Sequence, residues 1–279
     1  MHGKTVVITG ATSGIGEIAA IHLAEQGARI VFTARDEKRG QATLAKLRRA
    51  NAKADHVVHL GDLSLIAEQK RVGADIAREP RIDVLINNAG AIFNRRIETR
   101  DGLEMTFALN HMSYFTITAV LLDKLKATPG ARVVSTSSRA HRRGKLDFSD
   151  LQSKKDFRGF RTYGNSKLCN ILFTRALAKR LAGTGVTANC LHPGFVATRF
   201  GDQSGGMLQY VVAIAKSLMA ISEEEGAKTI LYLASSPEVA SVSGEYFNEC
   251  KVETPTAEAR NDVEAELLWR ESEKIAGLG

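Results

Sequence analysis

Two hydrophobic rhythms alternate along the chain. In the first, Val, Ile and Leu follow one another in short runs: "TVVITG", "ARIVFTA", "ADHVVHLGDL", "IDVLINNAG", "GARVVSTSS" and "VTANCLHPG". Such runs predict strands buried on both faces. In the second, apolar residues recur at three- and four-residue spacing, which predicts helices. "GIGEIAAIHLAEQG", "DEKRGQATLAKLRRAN", "SLIAEQKRVGADIARE", "DGLEMTFALNHMSYFTITAVLLDKLKA" and "EEEGAKTILYLA" follow it. So does the stretch "RTYGNSKLCNILFTRALAKRLAG", through Leu168, Ile171, Leu172, Leu177 and Leu181. Gly27 ends the first helix and Pro80 closes the third, as expected of helix stop signals. "SGEYF" reads as a short last strand.

Repeated strand–helix units of this kind call for a parallel sheet with right-handed crossovers. The predicted fold class is α/β: a single doubly wound Rossmann-type domain over residues 1–279, with a seven-stranded, mostly parallel sheet covered by helices on both faces. Ligands of such sheets bind beyond the carboxyl ends of the strands. The turns after "VVITG", "VFTA", "VHLGD", "INNAG" and "VVSTSS" should therefore open onto one edge.

Composition changes this picture little. The 279 residues are 44% hydrophobic and 25% charged, and only five are proline, which is ordinary for one globular unit. The formal charge of +7 fits an anionic partner without choosing among nucleic acid, a membrane surface and a phosphorylated cofactor. Its densest stretch, residues 139–161, is interrupted by Asp147, Asp150 and Asp156, and no nucleic-acid-binding signature accompanies it. Cys169, Cys190 and Cys250 form no CxxC and no metal spacing, so reduced thiols and no metal are expected. "MHGKTVVITG" enters a strand at once, leaving no signal or transit peptide to read, and no apolar run reaches the ~18 residues of a membrane helix. A cytoplasmic location is expected.

The chemistry lies in the turns. "TGATSGIG" joins the first strand to the first helix, with glycines at 10, 14 and 16. A tight glycine turn lets backbone N–H groups approach a pyrophosphate at a helix N-terminus. Gly10, Thr12, Ser13, Gly14, Ile15 and Gly16 are the candidate cradle. The second strand ends in Ala34 and Arg35, where an acid would serve a ribose 2′-hydroxyl. An arginine instead suits a 2′-phosphate, which predicts NADP(H) in preference to NAD(H). Asp36 is placed as the N-cap of the next helix. Asp62, beside Leu63, either accepts from an adenine amino group or caps the helix near Ser64. Asn88, Ala89 and Gly90 form a turn able to approach a ribose, and Asn87 needs a buried partner. Ser135, Ser137 and Ser138 end the fifth strand, with Ser138 furthest out. Tyr163 and Lys167 stand four apart and so share a helix face. A neighbouring ammonium is expected to lower the phenol's pKa from about 10 and ready it for general acid–base work. Asn110, polar amid apolar neighbours, is either a satisfied helix residue or part of a polar relay.

"TGATSGIG", "NNAG", Asn110, Ser138 and "YGNSK", in this order, resemble the short-chain dehydrogenase/reductase family over essentially the whole chain. The resemblance implies Tyr163 as catalytic acid/base, Lys167 as its partner and a ligand of the nicotinamide ribose, Ser138 as the substrate-oxygen ligand, and Asn110 as holder of a relay water. It further implies that "HPGFVAT", with Pro193, Gly194, Val196 and Thr198, meets the nicotinamide carboxamide, and that Asp62 and Asn88 meet the adenosine half. "SSRAHRRGKLDFSDLQ" and the C-terminal tail resemble the retinol dehydrogenase-like group, which tends to use NADP(H). The expected activity is NADP(H)-dependent alcohol/carbonyl interconversion on a lipophilic small molecule of retinoid, steroid or xenobiotic kind. Family members are often homodimers or homotetramers. Residues 195–221, rich in Met, Leu and Val, are the expected substrate lid. A noncatalytic NADP(H)-binding redox sensor is the competing expectation.

Overall fold

The computed structural model describes residues 1–194 and 222–278. The expected lid, with Val196 and Thr198, lies outside the described residues. The strands are β1 (Thr5–Ile8), β2 (Arg29–Ala34), β3 (Val57–Leu60), β4 (Val84–Asn87), β5 (Arg132–Thr136), β6 (Thr187–His192), β7 (Tyr246–Asn248) and β8 (Lys251–Val252). They form one sheet in the order β3-β2-β1-β4-β5-β6-β7-β8. All neighbours are parallel except β7 and β8. The order reverses direction between β1 and β4, which is where a doubly wound sheet opens its crevice.

The alternation of strand side chains divides the core in two. Val7, Val31, Leu85 and Val133 point to one face. There they meet α3 (Ile66–Ile76), α5 (Ser113–Lys126), α6 (Gly159–Arg180) and α8 (Asp262–Ala276) through Val72, Phe115, Leu172 and Leu268. Val6, Ile8, Ile30, Phe32 and Ile86 point to the other. There they meet α1 (Gly14–Glu25), α2 (Glu37–Ala50) and α7 (Glu223–Ser235) through Leu23, Leu47 and Ile230. Burying each such side chain is worth about 1.5–3 kcal/mol. Both faces are thus apolar, and only the strand ends are left for polar chemistry.

Four expectations are corrected. The sheet has eight strands rather than seven. β8 is made by a two-residue turn in which Glu249 and Cys250 have φ of 49° and 60°, the geometry of a hairpin turn usually written Asn-Gly. The long helix expected over 101–127 begins only at Met105. Glu104 caps it, accepting from Thr106 N and Phe107 N, in a short α4 (Met105–Phe107) that runs through a π turn at Ala108–Met112 into α5. This helix, Met105–Lys126, does contain an 18-residue window with the mean hydropathy (1.2) of a membrane span, but 72% of that window is buried inside the fold. Last, α8 lies in the unassigned tail, with Asn261 as N-cap and Gly277 as left-handed stop. It packs Trp269 flat on Phe173, centroids 5.9 Å apart, beneath the Arg180 guanidinium at 4.0 Å.

Candidate active site

The ends of β1, β4 and β5 are tied together by polar groups. Thr9 Oγ1 accepts from Asn88 N (2.9 Å) and Ala89 N (3.1 Å). Asn88 Nδ2 donates to the carbonyls of Thr9 and Gly10. Thr136 Oγ1 donates to Asn88 Oδ1 at 3.3 Å. The glycine turn can come this close only without side chains. A Cβ on Gly10, whose φ is +69°, would lie 2.7 Å from Ala89 Cα. A Cβ on Gly16 would lie 2.4 Å from both Gly10 O and Asn88 Nδ2. Ser13 is the N-cap of α1 yet makes no side-chain capping bond, so its hydroxyl does not engage the first-turn N–H groups. A glycine-lined turn feeding an N-terminus left uncapped by its own side chain fits a dinucleotide pyrophosphate.

The other predicted contacts fall around this cradle. Arg35 is exposed at the end of β2, with no ion pair among the described residues. Asp36 does cap α2, accepting from Arg39 N at 2.8 Å. Asp62 does not cap α3. Its Oδ1 accepts from Ser64 N and Ser64 Oγ in a local turn, while Asp101 caps the helix through Ile66 N at 2.7 Å. Leu63 turns its side chain into the core, and Ile15 packs on the opposite cluster. Asn87 is fully buried, and its Nδ2 donates to Thr118 Oγ1. Pro193 and Gly194 follow β6 at the same edge, Gly194 with φ of +85°.

Across the crevice, α6 brings Tyr163 and Lys167 against the end of β5. Both are buried. Tyr163 shares a side-chain hydrogen bond with Ser138, whose Oγ also accepts from Ala140 N at 3.1 Å. Ser138 caps a 3₁₀ turn over Arg139–Arg143. Ser137 instead donates to Lys167 O at 2.7 Å and is closed off in the core. Lys167 Nζ donates to Thr136 O at 3.0 Å and lies 5.7 Å from the Tyr163 ring centroid. Asn110 sits in the π turn with its side chain hydrogen-bonded at both ends: Oδ1 accepts from Ala91 N, and Nδ2 donates to Ala91 O and Ser166 Oγ. Gly90 lies beside both groups; a Cβ there would be 3.1 Å from Asn110 Oδ1 and 3.5 Å from Lys167 Nζ. Ser138, Tyr163, Lys167 and Asn110 are therefore brought together next to the cradle.

The short chain dehydrogenase family model matches residues 4–207. The chain belongs to this family. This short chain dehydrogenase is 40% identical to human retinol dehydrogenase 14 over 100% of its own length and 88% of that protein's. Among solved structures, a putative uncharacterized protein from Mycobacterium paratuberculosis superposes with TM-score 0.79 at 29% identity, covering 99% of this chain and 94% of that one. The Pseudomonas aeruginosa RhlG/NADP active-site complex does so with TM-score 0.70 at 28% identity, covering 88% and 94%.

Among the dehydrogenase's own groups, burial works against one expectation. Tyr163 was expected to be acidified by its lysine. Burial instead raises its pKa well above 10, and the Ser138 hydrogen bond offsets only part of that. Burial also lowers Lys167 to about 7. Desolvation acts on both groups, and at neutral pH it leaves the lysine only partly charged beside the phenol. In this setting Tyr163 holds its proton at neutral pH.

Several further residues belong to this edge. Thr9 was hidden in the "TG" before the cradle, and Ser166 in the helix between Tyr163 and Lys167. Asn170, one turn beyond Lys167, donates to the same Thr136 carbonyl at 3.2 Å. Its spacing on the Tyr163–Lys167 stripe was a usable signal. Arg39 Nη2 donates to Thr12 O at 3.1 Å, leaning a second cation over the cradle; its charge alone could not reveal that.

Proposed function

We propose that this chain is an NADP(H)-dependent oxidoreductase that interconverts an alcohol and an aldehyde or ketone, acting on a lipophilic small molecule. The observation that carries the reading is the meeting of Tyr163, Ser138 and Lys167 beside a glycine cradle at one sheet edge. The likeness to a retinol dehydrogenase and to an NADP complex supports it.

When bound, the nicotinamide cofactor supplies or accepts the hydride at the carbonyl carbon. The chain does the rest. The first-turn N–H groups of α1 hold the pyrophosphate. Arg35 and Arg39 flank the place for a 2′-phosphate, Arg39 already tethered to Thr12 O. Asp62 and the backbone at Leu63 serve the adenine, and Asn88, Ala89 and Gly90 the ribose. Pro193, Gly194, Val196 and Thr198 serve the carboxamide. Ser138 Oγ orients the substrate oxygen, and Tyr163 gives that oxygen its proton as the alcohol forms. In the reverse direction Tyr163 takes the proton back. Burial keeps the phenol in its protonated form, the form that donates to the substrate oxygen in the reductive direction. Asn110 fixes the β4 turn against α6 through Ala91 and Ser166, which sets the wall of the site.

The test is an NADPH- and NADH-consumption screen over aldehydes, ketones, quinones and retinoids, run on wild type and Arg35→Ala. Turnover should favour NADPH. Arg35→Ala should weaken NADPH binding about 10–100-fold, the worth of a lost charge-assisted hydrogen bond, and NADH binding far less. Equal losses for the two cofactors would contradict the 2′-phosphate reading. No turnover of any carbonyl would contradict the reaction itself.

A further inference from the structure

Two buried histidines hold the two ends of one peptide unit, the bond between Ser138 and Arg139. His141 Nδ1 lies 2.7 Å from the Ser138 carbonyl oxygen, which also accepts from His141 N at 3.1 Å. A carbonyl can only accept, so Nδ1 of His141 carries the hydrogen. At the other end, Arg139 N donates to His192 Nδ1 at 3.3 Å. A backbone N–H can only donate, so Nδ1 of His192 is bare and its hydrogen is on Nε2. The two rings are thus fixed in opposite tautomers by one peptide.

Neither ring is placed there by chance of the surface. His141 is fully buried, and the Tyr246 ring stands edge-on to it with centroids 5.1 Å apart. His192 is 8% exposed and ends β6, directly before Pro193. Burial lowers the pKa of both, His192 to about 4, so both stay neutral at pH 7. Neutrality matters, because a protonated His192 would turn a donor towards the Arg139 N–H.

We propose that His141 and His192 are positioning residues that clamp the Ser138–Arg139 peptide and so aim the Ser138 hydroxyl at Tyr163. Ser138 has extended backbone and its peptide starts the 3₁₀ turn. Holding that peptide fixes the turn that places Ala140 N, which donates to Ser138 Oγ at 3.1 Å, and so holds the hydroxyl that bonds Tyr163. The proposal rests on reading Ser138 as a catalytic group.

The experiment has two arms. In the first, heteronuclear NMR of the ring nitrogens in the wild-type protein should show His141 protonated on Nδ1 and His192 on Nε2. The same tautomer at both rings would overturn the clamp. In the second, kcat and KM are measured for His141→Leu, His192→Leu, His141→Asn and His192→Asn, each with and without Ser138→Ala. With Ser138 present, each Leu variant should lose about tenfold or more in kcat with NADPH KM nearly unchanged, and each Asn variant should recover most of it, because an Asn amide offers either a donor or an acceptor near Nδ1. With Ser138→Ala, the Leu substitutions should change kcat by less than about twofold, as groups acting through one residue do not add. Equal losses in both backgrounds would overturn the proposal. If Ser138→Ala alone left kcat unchanged, the catalytic reading of Ser138 would fall, while the tautomers would still decide the clamp.

Discussion

At Lys167 the chain buries an amine, with the Thr136 carbonyl as its acceptor. The folded group titrates at about 7, against about 10.4 in an unfolded chain. Between those values the unfolded state binds the proton and the folded state does not. Stability therefore rises with pH across that window. Below about 7 both states are charged and the cost of burying the ammonium is present in full; above about 10.4 both are neutral and it is gone. Lys167→Met carries no such charge. The melting temperature of Lys167→Met minus that of wild type should be largest near about pH 6 and shrink steadily towards about pH 10. A difference that does not move with pH would show that the ammonium is not desolvated. The roles expected of Tyr163 and Lys167 came from spacing and sequence order, but their electrostatics could not. Spacing shows that two groups share a face; it does not show how far water is excluded from them.

Among the elements, the strands and most helices were legible because each short Val/Ile run is bounded by a turn residue, and the parallel order follows from the crossovers between them. What was missed broke a local rule. The β7–β8 hairpin has Glu249 and Cys250 where left-handed backbone calls for Asn and Gly. Cys250 N donates to Thr229 Oγ1 at 3.2 Å, which holds the turn to α7. Replacing Glu249→Asn together with Cys250→Gly keeps that backbone donor and relieves the strain. The pair should stabilise the protein by about 1 kcal/mol, a rise of ~2–4 °C in Tm by thermal unfolding. A lower Tm would mean that the native side chains contribute more than the backbone strain costs. The π turn at Ala108–Met112 was illegible for a different reason. Ser113 N reaches back to Ala108 O instead of Leu109 O, while Leu109 O takes the Ser113 hydroxyl. Nothing in an apolar helical run announces one skipped bond. Yet that turn carries Asn110 to Ala91 and Ser166. The C-terminal helix α8, by contrast, had readable signals in Asn261 and Gly277.

Across the described residues, part of the basic charge is paired. Arg139 and Arg142 pair with Glu253, Arg158 and Arg161 with Asp156, and Arg175 and Lys179 with Asp262. Arg35, near the crevice, has no ion pair among the described residues. The sheet gathers residues as far apart in sequence as Gly10, Asn88, Ser138 and Tyr163 onto one edge because every crossover returns the chain in the same direction. The central claim is that this edge runs hydride chemistry with Tyr163 as the proton donor. Its most direct test is single-turnover oxidation of bound NADPH by a lipophilic aldehyde, comparing wild type with Tyr163→Phe. The phenylalanine variant should bind NADPH with unchanged Kd and react about 10²–10⁴-fold more slowly. Reaction at the wild-type rate would contradict the account.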